Sequence, residues 1–310
     1  MILSVHFTYI CAMNYLHSDE NFLGLDIEKH YDYKNSGFVI QQIPYEHTSS
    51  YMEGSAKGPA AIVKASHFVE FYDNELEIEP YLSRGICTLA PMHFEGKVDR
   101  AAVNFIEEET TKLLNDKKFV ISFGAEHTVT YGLVKAHAKK FPALTVVQLD
   151  AHSDLRAEYQ GNKYSHASVM ARVNDLGLNI CQIGIRAQCK EEAELIKSSA
   201  NIHTYYNHQI QNDENWMDDC ISLMTDHVYL TIDADGFDPS VIPNVGTPEP
   251  GGLKWFETLT FLKKVALKKK IIGFDIVEVA PKDGSIISEY TLAQLAYKLM
   301  GYIVSFDREK

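Results

Sequence analysis

Asp150, His152 and Asp154 occupy alternate positions directly after the apolar run Val146–Leu149. Such a run predicts a buried parallel strand. In an extended segment the side chains at i, i+2 and i+4 point to one side, so these three are expected to converge. Converging carboxylates and imidazoles can bind a metal ion, whereas the simpler interpretation is a strand that runs into a solvated polar turn.

Two further predicted strands end in residues of the same kinds. Val228–Ile232 is followed by Asp233 and Asp235, and Phe119–Phe123 is followed by His127. In open α/β sheets, ligands bind outside the carboxyl ends of the strands. Four aspartates gathered there without cations would repel one another and be driven towards protonation, so the pattern favours a centre with two divalent cations.

The segment that begins at Asp233 could also open a calcium-binding loop of the EF-hand type. That loop needs ligand oxygens at its fifth and twelfth positions, which are Phe237 and Asn244 here. The phenylalanine side chain has no oxygen, and the segment begins inside a predicted strand. The calcium-loop interpretation is therefore excluded.

The composition is that of a globular protein with a large core. Of 310 residues, 45% are hydrophobic and 23% charged, with a formal net charge of −13. This acidic balance argues against nucleic acid and against an anionic membrane as partners. The sequence contains no apolar run of about 18 residues, so it predicts no membrane-spanning helix.

Cysteine usage indicates a reducing compartment. Five cysteines are scattered without a CxxC pair, and Cys11, Cys87 and Cys181 lie in apolar runs that suggest small buried side chains. Residues 1–16 lack the basic start and the cleavage site of a signal peptide. We therefore expect a cytoplasmic protein.

Strands and helices are predicted to alternate along the chain. The predicted strands are Gly37–Ile43, Ile86–Ala90, Phe119–Phe123, Leu144–Leu149, Ile180–Ile185, Ile202–Tyr206, Val228–Ile232 and Ile271–Val279. The predicted helices are Gly58–Ser66, Asp99–Asn115, Thr128–Lys140, Ala167–Asn174, Lys190–Ser198, Trp216–Met224, Trp255–Lys268 and Glu289–Val304. This alternation predicts one α/β domain over residues 37–310, preceded by an irregular N-terminal extension over residues 1–36. We expect an approximately eight-stranded, mostly parallel sheet with helices on both faces.

Taken together, these motifs resemble the ureohydrolase family of arginases and agmatinases. The resemblance is carried by Gly124–His127, Asp150–Asp154, Ser165-His166, Asp233–Pro239, Gly246–Gly252 and Asp275–Val279. It implies an arginase-like three-layer sandwich. A single one of these motifs would be weak evidence, but their ordered series at predicted strand ends and loops is specific.

The resemblance implies a binuclear manganese site, with two Mn²⁺ per subunit. The six implied ligands are His127, Asp150, His152, Asp154, Asp233 and Asp235. Asp150 and Asp233 would bridge the ions, with His127 and Asp154 completing one coordination sphere and His152 and Asp235 the other. A set of carboxylates and imidazoles without thiolate is hard and rich in oxygen, which suits manganese, although nickel, cobalt or zinc could also bind.

Such a centre suits hydrolysis of a guanidinium group, whose carbon is a poor electrophile. A hydroxide that bridges two cations is a strong nucleophile near neutral pH, and the cations stabilise the charge that develops during attack. The leaving amine must then gain a proton. The resemblance gives that role to His166; the alternative is a loop histidine that caps the next helix. The resemblance also counts Asp154 among the catalytic residues as well as among the ligands.

Further residues are expected around the substrate. Glu278 ends an apolar strand, and the resemblance makes it the partner of the substrate guanidinium; the alternative is an ion pair with a neighbouring basic residue. Asp275 is expected behind the ligands, and Glu126 is expected to orient the neighbouring His127 through a hydrogen bond. Thr247 is a candidate substrate contact.

The loop before His166 indicates which guanidino compound is bound. Arginases carry a Ser-Gly-Asn-Leu stretch there that contacts the amino-acid end of arginine, whereas this chain has Lys163-Tyr164-Ser165 and resembles bacterial and archaeal agmatinases. Glu158 and Tyr159 are candidates to hold the ammonium group of agmatine. The preferred hypothesis is an agmatinase, which converts agmatine and water to putrescine and urea in polyamine biosynthesis.

Other hypotheses remain open at this point. The substrate could be arginine, guanidinobutyrate, formiminoglutamate or guanidine, or the protein could be a catalytically silent metal-binding homologue. The resemblance also implies a homo-oligomer, a trimer or a hexamer.

Overall fold

Eight apolar segments form one parallel sheet in the computed structural model, which describes residues 14–306. They are β1 (Phe38–Ile43), β2 (Ile86–Thr88), β3 (Phe119–Gly124), β4 (Leu144–Leu149), β5 (Asn179–Ile185), β6 (Ile202–Tyr206), β7 (His227–Asp233) and β8 (Lys270–Val277). The strand order is β2-β1-β3-β8-β7-β4-β5-β6, and every neighbouring pair is parallel. The predicted sheet is therefore confirmed.

Ten α-helices lie between and after the strands in the described part of the chain. They are α1 (Gly58–Ser66), α2 (Pro80–Arg84), α3 (Asp99–Asn115), α4 (Val129–Lys140), α5 (Val169–Asn174), α6 (Lys190–Ser198), α7 (Asn207–Ile210), α8 (Trp216–Ser222), α9 (Trp255–Lys268) and α10 (Ile287–Phe306). All eight predicted helices are present, with ends that differ by a few residues. The short helices α2 and α7 were not predicted, because segments of four or five residues show no clear hydrophobic period.

Hydrophobic side chains pack on both faces of the sheet. Helices α1, α8, α9 and α10 contribute to one core cluster, and α3, α4 and α5 contribute to another. The strands supply alternate residues to the two clusters, as Leu230 and Ile232 enter the first and Tyr229 the second. Because helices bury both faces, the strands are almost continuously apolar, which is why they could be recognised in the sequence.

Residues 14–36 contain no strand and no α-helix, but they are not detached from the domain. They form two short 3₁₀ helices, Phe22–Gly24 and Glu28–His30. Phe22, Leu23 and Leu25 are buried in the same core cluster as α10. Residues 1–13 of the expected extension, with Cys11, lie outside the described residues.

Cys87 and Cys181 are buried free thiols, as predicted, and so is Cys220, whereas Cys189 is only partly buried. Among the residues described, no helix has both the length and the apolar character needed to cross a membrane.

Candidate metal and catalytic site

The carboxyl ends of four adjacent strands meet at one point of the sheet edge. In spatial order these strands are β3, β8, β7 and β4. His127 follows β3, Glu278 follows β8, Asp233 ends β7, and Asp150 follows β4. Parallel strands carry all these side chains to the same edge, so residues more than 150 positions apart become neighbours.

The loop after β4 turns sharply instead of continuing as a strand. Strand β4 ends at Leu149, and the Asp150 carboxylate accepts a hydrogen bond from the His152 backbone N–H at 2.6 Å. Asp154 has a left-handed backbone (φ 53°), which is uncommon for a residue with a side chain. The side chains do converge, but a stabilised turn brings them together and not the strand alternation on which the prediction rested.

Three carboxylates surround the ring of His127. Its Nδ1 lies 3.1 Å from Asp150 Oδ2, 3.1 Å from Asp154 Oδ2 and 3.2 Å from Asp233 Oδ2. All four side chains are almost completely buried. This group is the first half of the predicted ligand set.

His152 organises the second half of the set. Its Nδ1 lies 3.1 Å from Asp235 Oδ2 and 3.7 Å from Asp150 Oδ1. The Asp235 backbone N–H donates to Asp233 Oδ1 at 2.9 Å, which joins the two halves. Since Asp150 belongs to both groups of potential metal ligands, its position agrees with a bridging role.

Burial and neighbouring charges shift the pKa values of the site residues far from their usual values. Burial, and then the Asp154 carboxylate, raise the pKa of Asp150 to about 7. Burial lowers the pKa of His152, but the Asp235 and Asp150 carboxylates outweigh it and raise that pKa to about 11. A site that attracts protons this strongly is deficient in positive charge, which divalent cations would supply.

The hydrogen bonds of His127 fit a metal ligand. Its Nε2 lies 2.8 Å from the Thr231 hydroxyl, which donates to Asp275 at 2.8 Å, so Nε2 carries a proton. Its Nδ1 is buried and makes no hydrogen bond, although three carboxylates surround it. A cation that displaced a proton from Nδ1 would meet a lone pair there and four carboxylates nearby, so the residues fit a pair of hard divalent cations.

Asp275 lies behind the predicted ligands, as the sequence indicated. Its carboxylate accepts hydrogen bonds from Thr231, from Thr130 at 3.1 Å and from the Tyr229 hydroxyl at 2.7 Å. Burial raises its pKa to about 6 despite these donors. It therefore fixes the Thr231 hydroxyl and, through it, the ring of His127.

A row of polar side chains, buried at its two glutamines, supports Asp150 from the other side. The Gln148 amide donates to Asp150 Oδ2 at 2.6 Å, and the Gln182 amide donates to Gln148 Oε1 at 2.6 Å. The Thr204 hydroxyl donates to Gln182 Oε1 at 2.8 Å. Sequence reasoning missed this row; its signal was a glutamine at matching positions of the two mostly apolar strands β4 and β5.

A cavity of about 180 Å³ opens over the carboxylates. Its lining includes His152, Asp154, Asp233, Asp235, Glu278, His166, Thr247 and Tyr159, with Arg156 and residues of the 49–52 segment. Thr247 also donates to Asp235 Oδ2 at 3.2 Å, and the Tyr159 ring meets the His166 ring edge-on at 5.9 Å. Glu158 is exposed and does not line the cavity, so its predicted substrate contact has no support.

Glu278 directs a partly buried carboxylate into this cavity. One of its oxygens accepts the His127 backbone N–H at 2.7 Å, and its backbone is left-handed (φ 64°). Burial, and then the nearby Glu126 carboxylate, raise the pKa of Glu278 well above its usual range. The predicted alternative, an ion pair with a neighbouring lysine or arginine, is not what the structure shows for this side chain.

The expectation for Glu126 was wrong. Its carboxylate does not bond the ring of His127 but accepts two backbone N–H groups, from His47 at 2.8 Å and from Thr48 at 2.6 Å. Thr48 in turn contacts His166. The sequence holds no local signal for this connection.

Comparison with known proteins agrees with the fold and the site. The sequence pattern of the Arginase family matches residues 36–301. The chain is 42% identical over 292 residues to the N(1)-aminopropylagmatine ureohydrolase of Synechocystis sp., and the alignment covers 92% of this chain and 95% of that protein. It is 36% identical over 272 residues to an agmatinase of Bacillus cereus, covering 85% of this chain and 90% of that protein.

A solved structure also has the same fold. The agmatine ureohydrolase of Thermoplasma volcanium superposes with a TM-score of 0.81 at 29% identity, covering 94% of this chain and 96% of that one. The chain therefore belongs to the arginase family. It is an agmatinase-like ureohydrolase, a hydrolase by class.

Proposed function

We propose that this protein hydrolyses the terminal guanidinium group of agmatine-type amines and releases urea. The observation that carries this proposal is the cavity in which Glu278 and His166 face two groups of potential metal ligands that share Asp150. A cavity with a carboxylate at one wall and a histidine at another can bind a guanidinium and protonate the amine that leaves it.

The metal that best fits the donor set is manganese. His127, Asp150, Asp154 and Asp233 would hold one ion, and Asp150, Asp233, His152 and Asp235 the other. When bound, two divalent cations would supply a strong nucleophile from water near neutral pH and would stabilise developing negative charge.

Side chains of the protein would bind the substrate and transfer the proton. Glu278 binds and orients the guanidinium, and its partly buried carboxylate gains from a cationic partner because desolvation disfavours its charged form. Thr247 keeps Asp235 in position through its hydroxyl. His166, at the opening of the same cavity, transfers a proton to the leaving nitrogen as the C–N bond breaks.

The relatives support two members of one substrate class. Agmatine is the substrate that the loop before His166 favours, and the name of the 36% identical relative agrees with it. N1-aminopropylagmatine is the second candidate, because the 42% identical relative carries its name. We propose that the protein accepts both, with the higher kcat/KM for N1-aminopropylagmatine.

Urea release tests this proposal. The manganese-loaded protein should hydrolyse agmatine and N1-aminopropylagmatine, and a chelated control should not. Arginine, guanidinobutyrate and formiminoglutamate belong in the same panel, since Arg156 lines the cavity and could pair with a substrate carboxylate. Guanidine is included as the remaining alternative. Turnover of an acid in preference to both amines would overturn the substrate assignment, and no turnover of any compound would overturn the enzymatic one.

We further propose that the working form is a homo-oligomer, a trimer or a hexamer, in the cytoplasm. Light scattering of the purified protein measures the oligomeric state directly, and a monomer at micromolar concentration would contradict the proposed trimer or hexamer.

A further inference from the structure

The segment from Glu46 to Ala56 forms one wall of the cavity and is held by two carboxylates. Glu46 accepts the backbone N–H groups of Gly54 at 2.8 Å and Ala56 at 2.9 Å, together with the Ser49 hydroxyl at 2.9 Å. Glu126, from beyond β3, accepts two more N–H groups on the same segment. A loop whose backbone donors are bonded to fixed carboxylates has a defined shape.

Glu126 is well placed to fix this wall. Its side chain is 0% exposed, and the two N–H groups of His47 and Thr48 both converge on Oε2. A buried carboxylate that accepts two backbone donors at 2.8 and 2.6 Å makes strong, charge-assisted hydrogen bonds. Thr48 is therefore held by its own backbone, independently of its side chain.

The Thr48 side chain connects this fixed wall to His166. Its Oγ1 accepts the His166 backbone N–H at 3.1 Å and lies 3.1 Å from the ring atom Nδ1 of the same residue. A hydroxyl oxygen has two lone pairs, so it can accept both N–H groups of His166 at once. On its other side, the ring meets the edge of Tyr159.

We infer that Thr48 is a positioning residue for His166, held in place by Glu126. It selects the ring orientation in which Nδ1–H points to the loop and Nε2 is left to exchange protons in the cavity. This inference rests on the proposed function, which makes His166 the proton donor.

The proton balance of the step agrees with this arrangement. In the imidazolium form both ring nitrogens carry a proton. As the C–N bond breaks, the proton on Nε2 passes to the leaving nitrogen, and the neutral ring keeps its Nδ1–H on Thr48. Solvent then returns a proton to Nε2. Without Thr48 the ring can rotate, or the neutral ring can carry its proton on Nε2, and a proton that arrives at Nε2 from the cavity then no longer restores the acid.

The test uses Thr48→Val, which keeps the shape of the side chain and the backbone hydrogen bond to Glu126 but removes the hydroxyl. We expect kcat for the best substrate to fall by about 10- to 100-fold, with KM changed by less than about twofold. Thr48→Ser retains the oxygen and should restore kcat. Thr110→Val is the matched control, because it removes a buried threonine hydrogen bond, to Gln41 at 2.9 Å, outside the site.

A second measurement does not depend on turnover. In zinc-loaded protein labelled with ¹⁵N-histidine, long-range ¹H–¹⁵N spectra distinguish the two neutral tautomers, and His166→Asn identifies the signal. The wild type and Thr48→Ser should show Nδ1–H, and Thr48→Val a mixture of tautomers. An unchanged tautomer in Thr48→Val, or an unchanged kcat, would overturn the inference. Absence of wild-type turnover on the whole panel would instead count against the proposed function, while the spectra would still decide the role of Thr48.

Discussion

Asp150 lies in both halves of the site, so its loss should affect both cations. Asp150→Ala removes a carboxylate that is 0% exposed and contacts His127 and the backbone of His152. We expect metal content after equilibration with Mn²⁺, measured by atomic emission, to fall from two ions per chain to one or none, with loss of urea release. The exposed Asp213→Ala serves as control. Full metal loading of the Asp150 variant would show that this carboxylate is not a bridge.

His137 provides a test of buried charge away from the metal ligands. Burial lowers the pKa of this helix α4 residue to about 4, although its Nδ1–H donates to the Leu133 carbonyl at 2.8 Å. Its ring packs against the Tyr229 ring, with the centroids 4.7 Å apart and the ring planes tilted by 55°. The unfolded chain, with an ordinary histidine pKa of about 6.5, binds a proton between pH 6.5 and 4 that the folded protein does not.

The sign of this effect follows from proton linkage. Since the unfolded state holds more protons in that window, stability falls as the pH drops from 6.5 to 4, by about 3 kcal/mol for this residue. Urea unfolding at a series of pH values should show a shallower loss for His137→Phe than for the wild type. The site carboxylates titrate in both proteins and cancel in the difference. Parallel curves would mean that His137 is not buried neutral.

The strands show which parts of the structure could be predicted from the sequence. β4 and β7 were recognisable because both faces of the sheet are covered, which makes them apolar throughout. The residues that follow them, Asp150 and Asp233, stood out as charges at the ends of apolar runs. Local pattern was sufficient at these positions.

What the pattern could not reveal depends on neighbours distant in the chain. The order of the strands puts β8 between β3 and β7, so Glu278 comes next to His127. The sequence suggested that Glu126 contacts the adjacent His127, but its side chain reaches the loop after β1 instead. No spacing in the sequence encodes such a contact.

The Gln148–Gln182 row gives a prediction at the scale of the sheet. Because β4 and β5 pair in register, Gln148 lies opposite Gln182. The Gln182 amide orients the Gln148 amide, which in turn orients the Asp150 carboxylate. Gln148→Met keeps the volume but removes both hydrogen-bonding groups. We expect manganese affinity, measured by titration calorimetry, to weaken by about 10- to 100-fold.

A matched variant separates this effect from general damage to the sheet. Gln41→Met makes the same change in β1, where the buried amide contacts Thr110 and Met92 instead of a predicted metal ligand. It should lower stability without changing manganese affinity. Equal weakening by both variants would argue that the row supports the sheet and not the site.

At the scale of the whole molecule, the site concentrates negative charge in a protein that is already acidic. The formal net charge is −13, and four carboxylates of the site are almost fully buried. Folding without cations must either bury repelling charges or bind protons, as the raised pKa of Asp150, about 7, indicates. Divalent cations remove this repulsion only in the folded state, where the four strand ends meet.

Metal binding should therefore stabilise the entire fold. A ligand that binds only the native state adds about 2.7 kcal/mol per site at a free concentration of 100 times Kd. We expect the Tm of chelator-treated protein to rise by several degrees when Mn²⁺ is added, and more at pH 8 than at pH 6, because protons compete for Asp150 and its neighbours at the lower pH. Differential scanning calorimetry measures both changes. Asp150→Ala should show little rise, and an equal rise in this variant would place the stabilising cations elsewhere on the molecule.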